Sequence, residues 1–228
     1  MSEFYNDQWR LPNAWNGSES NVNKQSNYSM DFDGSQQIDS TSNLGISGAS
    51  PRTFSAWIKT TDSGGGWDVI IATGNTGNTG GNFELDFRNG KITFNDWGSD
   101  TFSGANVNDG NWHNICLTYN GTILKLYIDA VEDTLGDFPA TKAVNSTNAP
   151  VRIGGMNNSQ KYFNGQIDAV AIFNYALSAS QITTLYGSSS TGIGNPMSLS
   201  PKPVFYAPLG DQDSFNGASY LTPNASLK

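Results

Sequence analysis

Two Asn-Gly dipeptides constrain the fold of this chain more than any other feature. Asn89-Gly90 stands between alternating apolar runs in FELDFRNGKITF, and Asn120-Gly121 does so in ICLTYNGTILKLYID. Because Asn-Gly supplies the positive φ angles of a two-residue turn, both segments are predicted to be β-hairpins. In the second hairpin, alternation predicts that one set of side chains faces the core: Ile115, Leu117, Tyr119, Leu124, Leu126 and Ile128.

Short segments of this kind recur along the chain with turn residues between them. Only 14% of the residues are charged, and the chain holds 25 Gly. This composition is typical of many short strands joined by polar turns. We therefore predict an all-β fold with two antiparallel sheets packed as a sandwich.

One short helix is predicted in LSASQITTLYG, towards the end of the domain. Ser178 can cap it, Gln181 completes a capping box, and Gly187 can end it. Ile182 and Leu185 would dock this helix on the sandwich.

The predicted layout has extended terminal arms around one domain. Residues 1–27 form an N-terminal arm that contains Trp9 and Trp15, and residues 28–187 form the domain. Residues 188–203 form a linker rich in Gly, Ser and Pro, and residues 204–228 form a tail.

Charge and apolar content exclude several classes of protein. Lys and Arg total 12 against 20 Asp and Glu, so a nucleic-acid partner is not expected. The first residues lack a secretory signal, and no apolar run approaches the ~18 residues of a membrane helix. The single cysteine, Cys116, is predicted to be a small buried residue.

Four segments in order resemble the laminin-G-like, concanavalin-A-like jelly roll found in phage virion proteins and bacterial surface proteins. They are YSMDFDGSQQID, FSAWIKT, GNWHNICLTYNGTILKLYIDA and FNGQIDAVAIFNYALSASQITTLY. The resemblance implies a two-sheet jelly roll that meets ligands at a loop rim or on its concave sheet. The tail also resembles the opening strand of a further copy of this jelly roll, or else it docks on a neighbouring subunit.

The strand FELDFRN is similar to the catalytic strand of related glycoside hydrolases, which carries Glu-x-Asp-x-x-Glu. Glu84 and Asp86 match, but Asn89 stands at the third position and is needed for the turn. We therefore expect Glu84 and Asp86 to lie on the solvated outer face of a hairpin. His113, the only histidine, is expected to be structural, and zinc is not expected.

Calcium is the metal that the resemblance implies. In similar domains an Asp matching Asp168 helps to bind a structural calcium together with carbonyl oxygens near the turn that holds Asp33 and Gly34. The alternative interpretation is that Asp168 bonds a backbone turn.

Sugar binding would use indole rings and polar loop groups. Trp67, Trp97 and Asp96 are the candidates, because a sugar stacks on an indole and its hydroxyls bond to carboxylates. Ordinary loop packing is the alternative for both tryptophans. Trp57 and Trp112 lie in strand patterns and are predicted to belong to the core.

These inferences favour a non-enzymatic recognition or structural module. The first hypothesis is a phage virion surface protein, such as a tail fibre, adhesin or capsid decoration. It would bind host-surface glycans or other virion proteins, without membrane insertion, and could be a homo-oligomer. The second is a secreted or surface bacterial carbohydrate-binding module, and the third is a glycoside hydrolase.

Overall fold

The computed structural model describes six stretches of chain together with two short strands. These are residues 29–74, 79–98, 100–139, 141–156, 161–187 and 194–209, and the backbone of 214–215 and 220–221. The predicted arm with Trp9 and Trp15 lies outside them.

The described strands form two antiparallel sheets, which confirms the predicted all-β jelly-roll sandwich. The larger sheet has nine strands in the order β10-β9-β8-β3-β12-β13-β14-β15, and β1 also pairs with β12. Its strands are β1 (Met30–Asp33), β3 (Arg52–Lys59), β8 (His113–Tyr119), β9 (Leu124–Ile128), β10 (Val131–Glu132), β12 (Asn164–Phe173), β13 (Phe205–Ala207), β14 (Ser214–Phe215) and β15 (Tyr220–Leu221).

The smaller sheet has six strands in the order β2-β11-β4-β5-β6-β7. Its strands are β2 (Ile38–Asn43), β4 (Asp68–Gly74), β5 (Asn82–Arg88), β6 (Lys91–Asn95), β7 (Asp100–Asn106) and β11 (Pro150–Ile153).

The main core lies between the sheets and is built from their inward side chains. Phe54 of β3 meets Phe83 of β5 edge to face, with ring centroids 4.9 Å apart. The predicted core faces are confirmed, because Ile115, Leu117, Tyr119, Leu124 and Leu126 are buried in this cluster and Ile128 packs against it.

The two predicted hairpins differ in their turns. Asn89 and Gly90 have φ angles of 52° and 79°, so the two-residue turn is confirmed. The second prediction was wrong in length, because Tyr119 pairs with Leu124 and leaves residues 120–123 in the loop. There the Asn120 side chain closes the turn, since its Oδ1 accepts from the amides of Thr122 and Ile123.

The outer face of the nine-stranded sheet carries a second apolar cluster. The predicted helix is confirmed as α1 (Ala179–Tyr186), with its capping box between Ser178 and Gln181. Ile182 and Leu185 of α1 pack there with Cys116, Phe173 and a 3₁₀ turn at Pro196–Ser198. Burial raises the pKa of the Cys116 thiol to about 12, in agreement with an inert buried residue.

Strand β12 pairs with two strands along one edge. Met30–Asp33 pair with residues 164–167, and Phe205–Ala207, from the segment assigned to the tail, pair with residues 170–172. Between these stretches β12 has an irregularity in which Ala169 has a φ of 48°. Phe205 and Ala207 join the main core.

Candidate functional site

The outer face of the six-stranded sheet is polar. The strand register places Arg152, Ala72, Glu84, Asn95 and Asp100 in one row across five strands. A parallel row contains Val69, Asp86 and Thr93. Because side chains alternate along each strand, both rows point away from the main core.

Two carboxyl groups in these rows are fully buried. Glu84 and Asp86 share a face as predicted, but both have 0% exposure, so the prediction of a solvated face was wrong. The reason lies far away in sequence. The Lys161 ammonium is 3.2 Å from Glu84 Oε2, and Met156 packs on Val69 and Ala72 of the same face.

Several buried oxygens on this face lack a hydrogen-bond partner among the described residues. They are both carboxyl oxygens of Asp86, Oδ1 of Asn82 and Oγ1 of Thr93. The Asn82 amide itself donates to Glu84 Oε1 at 2.8 Å. Unpaired buried polar atoms cost stability, so a site that retains them is a candidate for ligand binding.

Burial also changes the protonation of the carboxyl pair. Desolvation raises the pKa of Asp86 well above its usual range, and the neighbouring Glu84 raises it further. Desolvation raises the pKa of Glu84, while Lys161 opposes that shift. Once protonated, Asp86 can donate to Glu84, so the pair is able to share one proton beside the Lys161 cation.

Trp97 stands at the exposed border of this face. Its side chain is 39% exposed, and the Lys161 ammonium lies 4.8 Å from the ring centroid. The residue has a φ of 69°, and its amide donates to Asn95 Oδ1 at 2.7 Å. The predicted sugar-stacking residue is therefore accessible and is held by the turn that follows β6.

Asp96, the neighbouring predicted residue, is 2% exposed. It forms an ion pair of 2.9 Å with Lys142 and accepts from the amide of Gly98. Its position supports the turn that carries Trp97.

Trp67 lies at the Arg88 end of the same face. The Arg88 guanidinium is 3.8 Å from the centroid of the half-buried Trp67 ring. Arg88 is four residues from Glu84 along β5, or ~13 Å of strand. The polar face therefore has an indole and a cation towards each end of β5.

The residues predicted to bind calcium are not brought together by the strand register. Asp33 pairs opposite Asn164 and Asp168 opposite Trp57, four residues further along β12. Asp33 accepts from Ser35 and Gln36, and Asp168 Oδ1 accepts from the amide of Ala169 at 2.7 Å. Gly34 has a φ of 82°, and its amide donates to the carbonyl of Phe163.

No group of three His, Cys, Asp or Glu side chains in the described stretches could hold a metal ion. The predicted calcium site also uses backbone carbonyl oxygens, so calcium at Asp33, Gly34 and Asp168 stays a prediction. No helix within the same stretches is long and apolar enough to cross a membrane.

The other predicted structural residues, Trp57, Trp112 and His113, all lie on or beside the nine-stranded sheet. Trp57 stacks on Tyr186 at 5.6 Å on the nine-stranded sheet. The prediction that Trp112 belongs to the core was wrong, because it precedes the first residue of β8 and is 37% exposed. His113 begins β8, and its ring nitrogens lie 2.8 Å from Asp129 and 3.1 Å from Asp109.

Solved structures with the same fold include several proteins described by what they bind. Domain 4 of a GH43 extracellular arabinanase from Geobacillus stearothermophilus, in complex with arabinotriose, is 20% identical. The match covers 68% of this chain and 74% of that one, with a TM-score of 0.51. A putative carbohydrate binding protein from Bacteroides ovatus is 17% identical, and the match covers 79% of this chain and 51% of that one, with a TM-score of 0.57.

A heptameric SAP-like pentraxin from Limulus polyphemus is 15% identical. The match covers 89% of this chain and 98% of that one, with a TM-score of 0.56. At these identities the likeness shows the fold alone.

A search of curated protein sequences gives no match. The sequence profile of the family described as the Concanavalin A-like lectin/glucanases superfamily matches residues 14–183. The chain therefore belongs to the Concanavalin A-like lectin/glucanases superfamily.

Proposed function

We propose that this domain is a non-enzymatic glycan-binding module that contacts its glycan on the outer face of the six-stranded sheet. The observation that carries the proposal is the exposed Trp97 indole beside the Lys161 ammonium, on the face where several buried polar atoms have no hydrogen-bond partner among the described residues. A sugar presents apolar ring faces to an indole and hydroxyls to charged groups. Trp67 with Arg88 repeats this combination towards the other end of β5.

The contact surface consists of the half-exposed groups around the buried pair. Trp97, Asp100, Arg88 and Trp67 are partly accessible, whereas Glu84 and Asp86 lie beneath them. In this proposal the buried pair positions Lys161 against Trp97, and the accessible groups bond to the glycan.

Hydrolysis fits this face less well than binding. A retaining glycosidase needs two accessible carboxyl groups that flank the scissile bond. Here Glu84 is paired with Lys161 and both acids are buried. Asn89, at the position of the third acid, forms the hairpin turn.

Within this function, we propose host-surface glycans as the target and a phage virion surface as the location. The support is the order of the four jelly-roll segments and the tail that resembles the opening of a further copy. A secreted or surface bacterial carbohydrate-binding module is the second candidate. The matches to an arabinanase domain and to a Bacteroides carbohydrate binding protein favour it.

The test is binding of the purified chain to an array of bacterial envelope polysaccharides and cell-surface glycans, in calcium and again in EDTA. Trp97→Ala should weaken binding by roughly tenfold or more, since it removes the stacking surface. Val131→Ala is the matched control, because Val131 is 69% exposed and apolar but belongs to β10 of the other sheet.

Absence of binding by a folded chain, or equal binding by both variants, would contradict the proposal. Loss of binding in EDTA alone would support the calcium prediction, which Asp168→Asn should then reproduce.

A further inference from the structure

A separate groove lies on the nine-stranded sheet where β3 ends and β12 begins. Its volume is about 300 Å³, and the residues that line it include Lys59, Thr60, Asp62, Gly110, Asn164 and Gln166. Lys59 pairs with Gln166, which pairs with Asp31 on its other side. The polar face around Trp97 belongs to the other sheet, so the two places are distinct.

The walls of the groove are fixed by their own hydrogen bonds. Thr60 Oγ1 donates to the carbonyl of Asn164 at 2.7 Å and accepts from the amide of Asp62 at 2.9 Å. The amide of Gly110 donates to the carbonyl of Thr60. Three segments distant in sequence are therefore joined at Thr60, and the groove is formed before any ligand arrives.

Three side chains that line the groove are available to a ligand. The Lys59 ammonium and the amides of Asn164 and Gln166 make no side-chain hydrogen bond to the described part of the chain. Together they offer donors from all three groups and acceptors from both amides. This set can bond several hydroxyls at once.

The strand register places an exposed tryptophan, Trp112, next to Lys59. Ile58 and His113 form the last pair between β3 and β8, so Lys59 and Trp112 are the next residues of the two segments. Trp112 is 37% exposed and is two residues from Gly110, which lines the groove. His113 holds this turn, because its ring lies between the carboxylates of Asp109 and Asp129.

The local charge selects the class of ligand. Lys59 lines the groove with Asp62, and the register brings Asp31 and Asp33 to the neighbouring strand, opposite Gln166 and Asn164. An anionic ligand would meet three carboxylates and one ammonium, whereas a neutral polyhydroxylated ligand uses both kinds of group. We propose that this groove is a second binding site, for a neutral sugar, with Trp112 as its apolar contact.

The inference extends the proposed function from one glycan contact to two on the same domain. Two contacts on one module raise the avidity for a branched or repeated glycan without new contacts at either site.

The test follows the indole N–H resonances of the intact chain by NMR during separate titrations with glucose, galactose and N-acetylglucosamine. Trp112→Phe and Trp97→Phe assign the two signals. At least one sugar should shift the Trp112 signal. The double variant Lys59→Ala/Gln166→Ala should weaken that response roughly tenfold and leave the Trp97 response unchanged.

Lys202→Ala/Thr41→Ala is the matched control, because both side chains are exposed and lie outside the groove. No shift of the Trp112 signal with any of the three sugars would overturn the inference, as would a response that persists in the Lys59/Gln166 variant. The Trp97 signal reports the proposed function separately, so each idea can fail while the other stands.

Discussion

The two outer faces of the sandwich are built from strands with the same alternation, yet their buried patches differ in chemistry. On the nine-stranded sheet a patch of outward residues is apolar, with Cys116, Ala171 and Phe173, and Ile182 and Leu185 of α1 pack on it. On the six-stranded sheet the outward residues include Glu84, Asp86 and Thr93, which are also buried but polar.

Burial of apolar and of polar side chains has opposite effects on stability. Apolar burial under α1 stabilises the fold, since each apolar side chain leaves water and packs closely. Polar burial beneath Trp97 costs stability wherever oxygens have no partner. Folding stability alone therefore does not explain why such a face is kept.

The largest expected effect is on the apolar face. Phe173→Ala should lower the free energy of unfolding by about 4 kcal/mol, because Phe173 is fully buried against Tyr175 and leaves a cavity. Urea denaturation measures the loss, with Leu135→Ala as the exposed control. A loss below about 1 kcal/mol would mean that the outer cluster does little for stability.

The next effect is on the polar face. Lys161→Met should cost about 3 kcal/mol at neutral pH, because it leaves the buried Glu84 carboxylate without its cation. The cost should shrink in acid, where Glu84 takes up a proton. Thermal unfolding at several pH values measures both the loss of stability and its decrease in acid.

The matched control for that variant is Lys125→Met. Lys125 pairs with Glu132 at a similar distance, 2.9 Å, but both side chains are exposed. Its removal should cost less than about 1 kcal/mol. Equal losses for the two lysines would contradict a special role for the buried pair.

The smallest effect has the opposite sign. Asp86→Asn should raise stability by about 1 kcal/mol at pH values where Asp86 is ionised, since its amide can donate to Glu84 where the carboxylate cannot. The folded pKa of Asp86 is raised, so the stability that protonated Asp86 contributes is fully present below the ordinary Asp pKa and is lost as pH rises through the folded value. The gain should therefore vanish in acid.

Denaturation of wild type and Asp86→Asn across the pH range checks this sign. The pKa of His113 is raised as well, chiefly by its hydrogen bond to Asp129, so it contributes stability that is also lost as pH rises. That contribution is common to both proteins and cancels in their difference. A destabilised Asp86→Asn at the upper end of that pH range would show that the carboxylate has a stabilising partner.

The sequence predicted those features that depend on local pattern. Alternation identified the core faces of β8 and β9, the Asn89-Gly90 turn and the capping box of α1, because each depends on residues close together in the chain. The Asn120 loop was predicted too short, because its side chain closes a longer turn that competes with the two-residue form.

The residues that pack over a sheet face could not be predicted from the sequence. Alternation gives the direction in which Glu84 and Asp86 point, but Lys161 and Met156, which pack over that face, come from the segment between β11 and β12. Trp112 was misplaced for a related reason, since it lies one residue before the ladder of β8 begins. The cation beside Trp97 also depends on a contact distant in sequence.

β1 and β13 share one edge of β12, and this arrangement limits when the fold can form during synthesis. The pairing partners of β12 are Met30–Asp33, Arg52–Lys59 and Phe205–Ala207, which are drawn from both ends of the described chain. During synthesis β12 emerges long after β1 and must wait for β13 before that edge is filled. Pairings of such long range make folding slow. Until β13 arrives, the unfinished edge is open to wrong partners, and β13 then protects it.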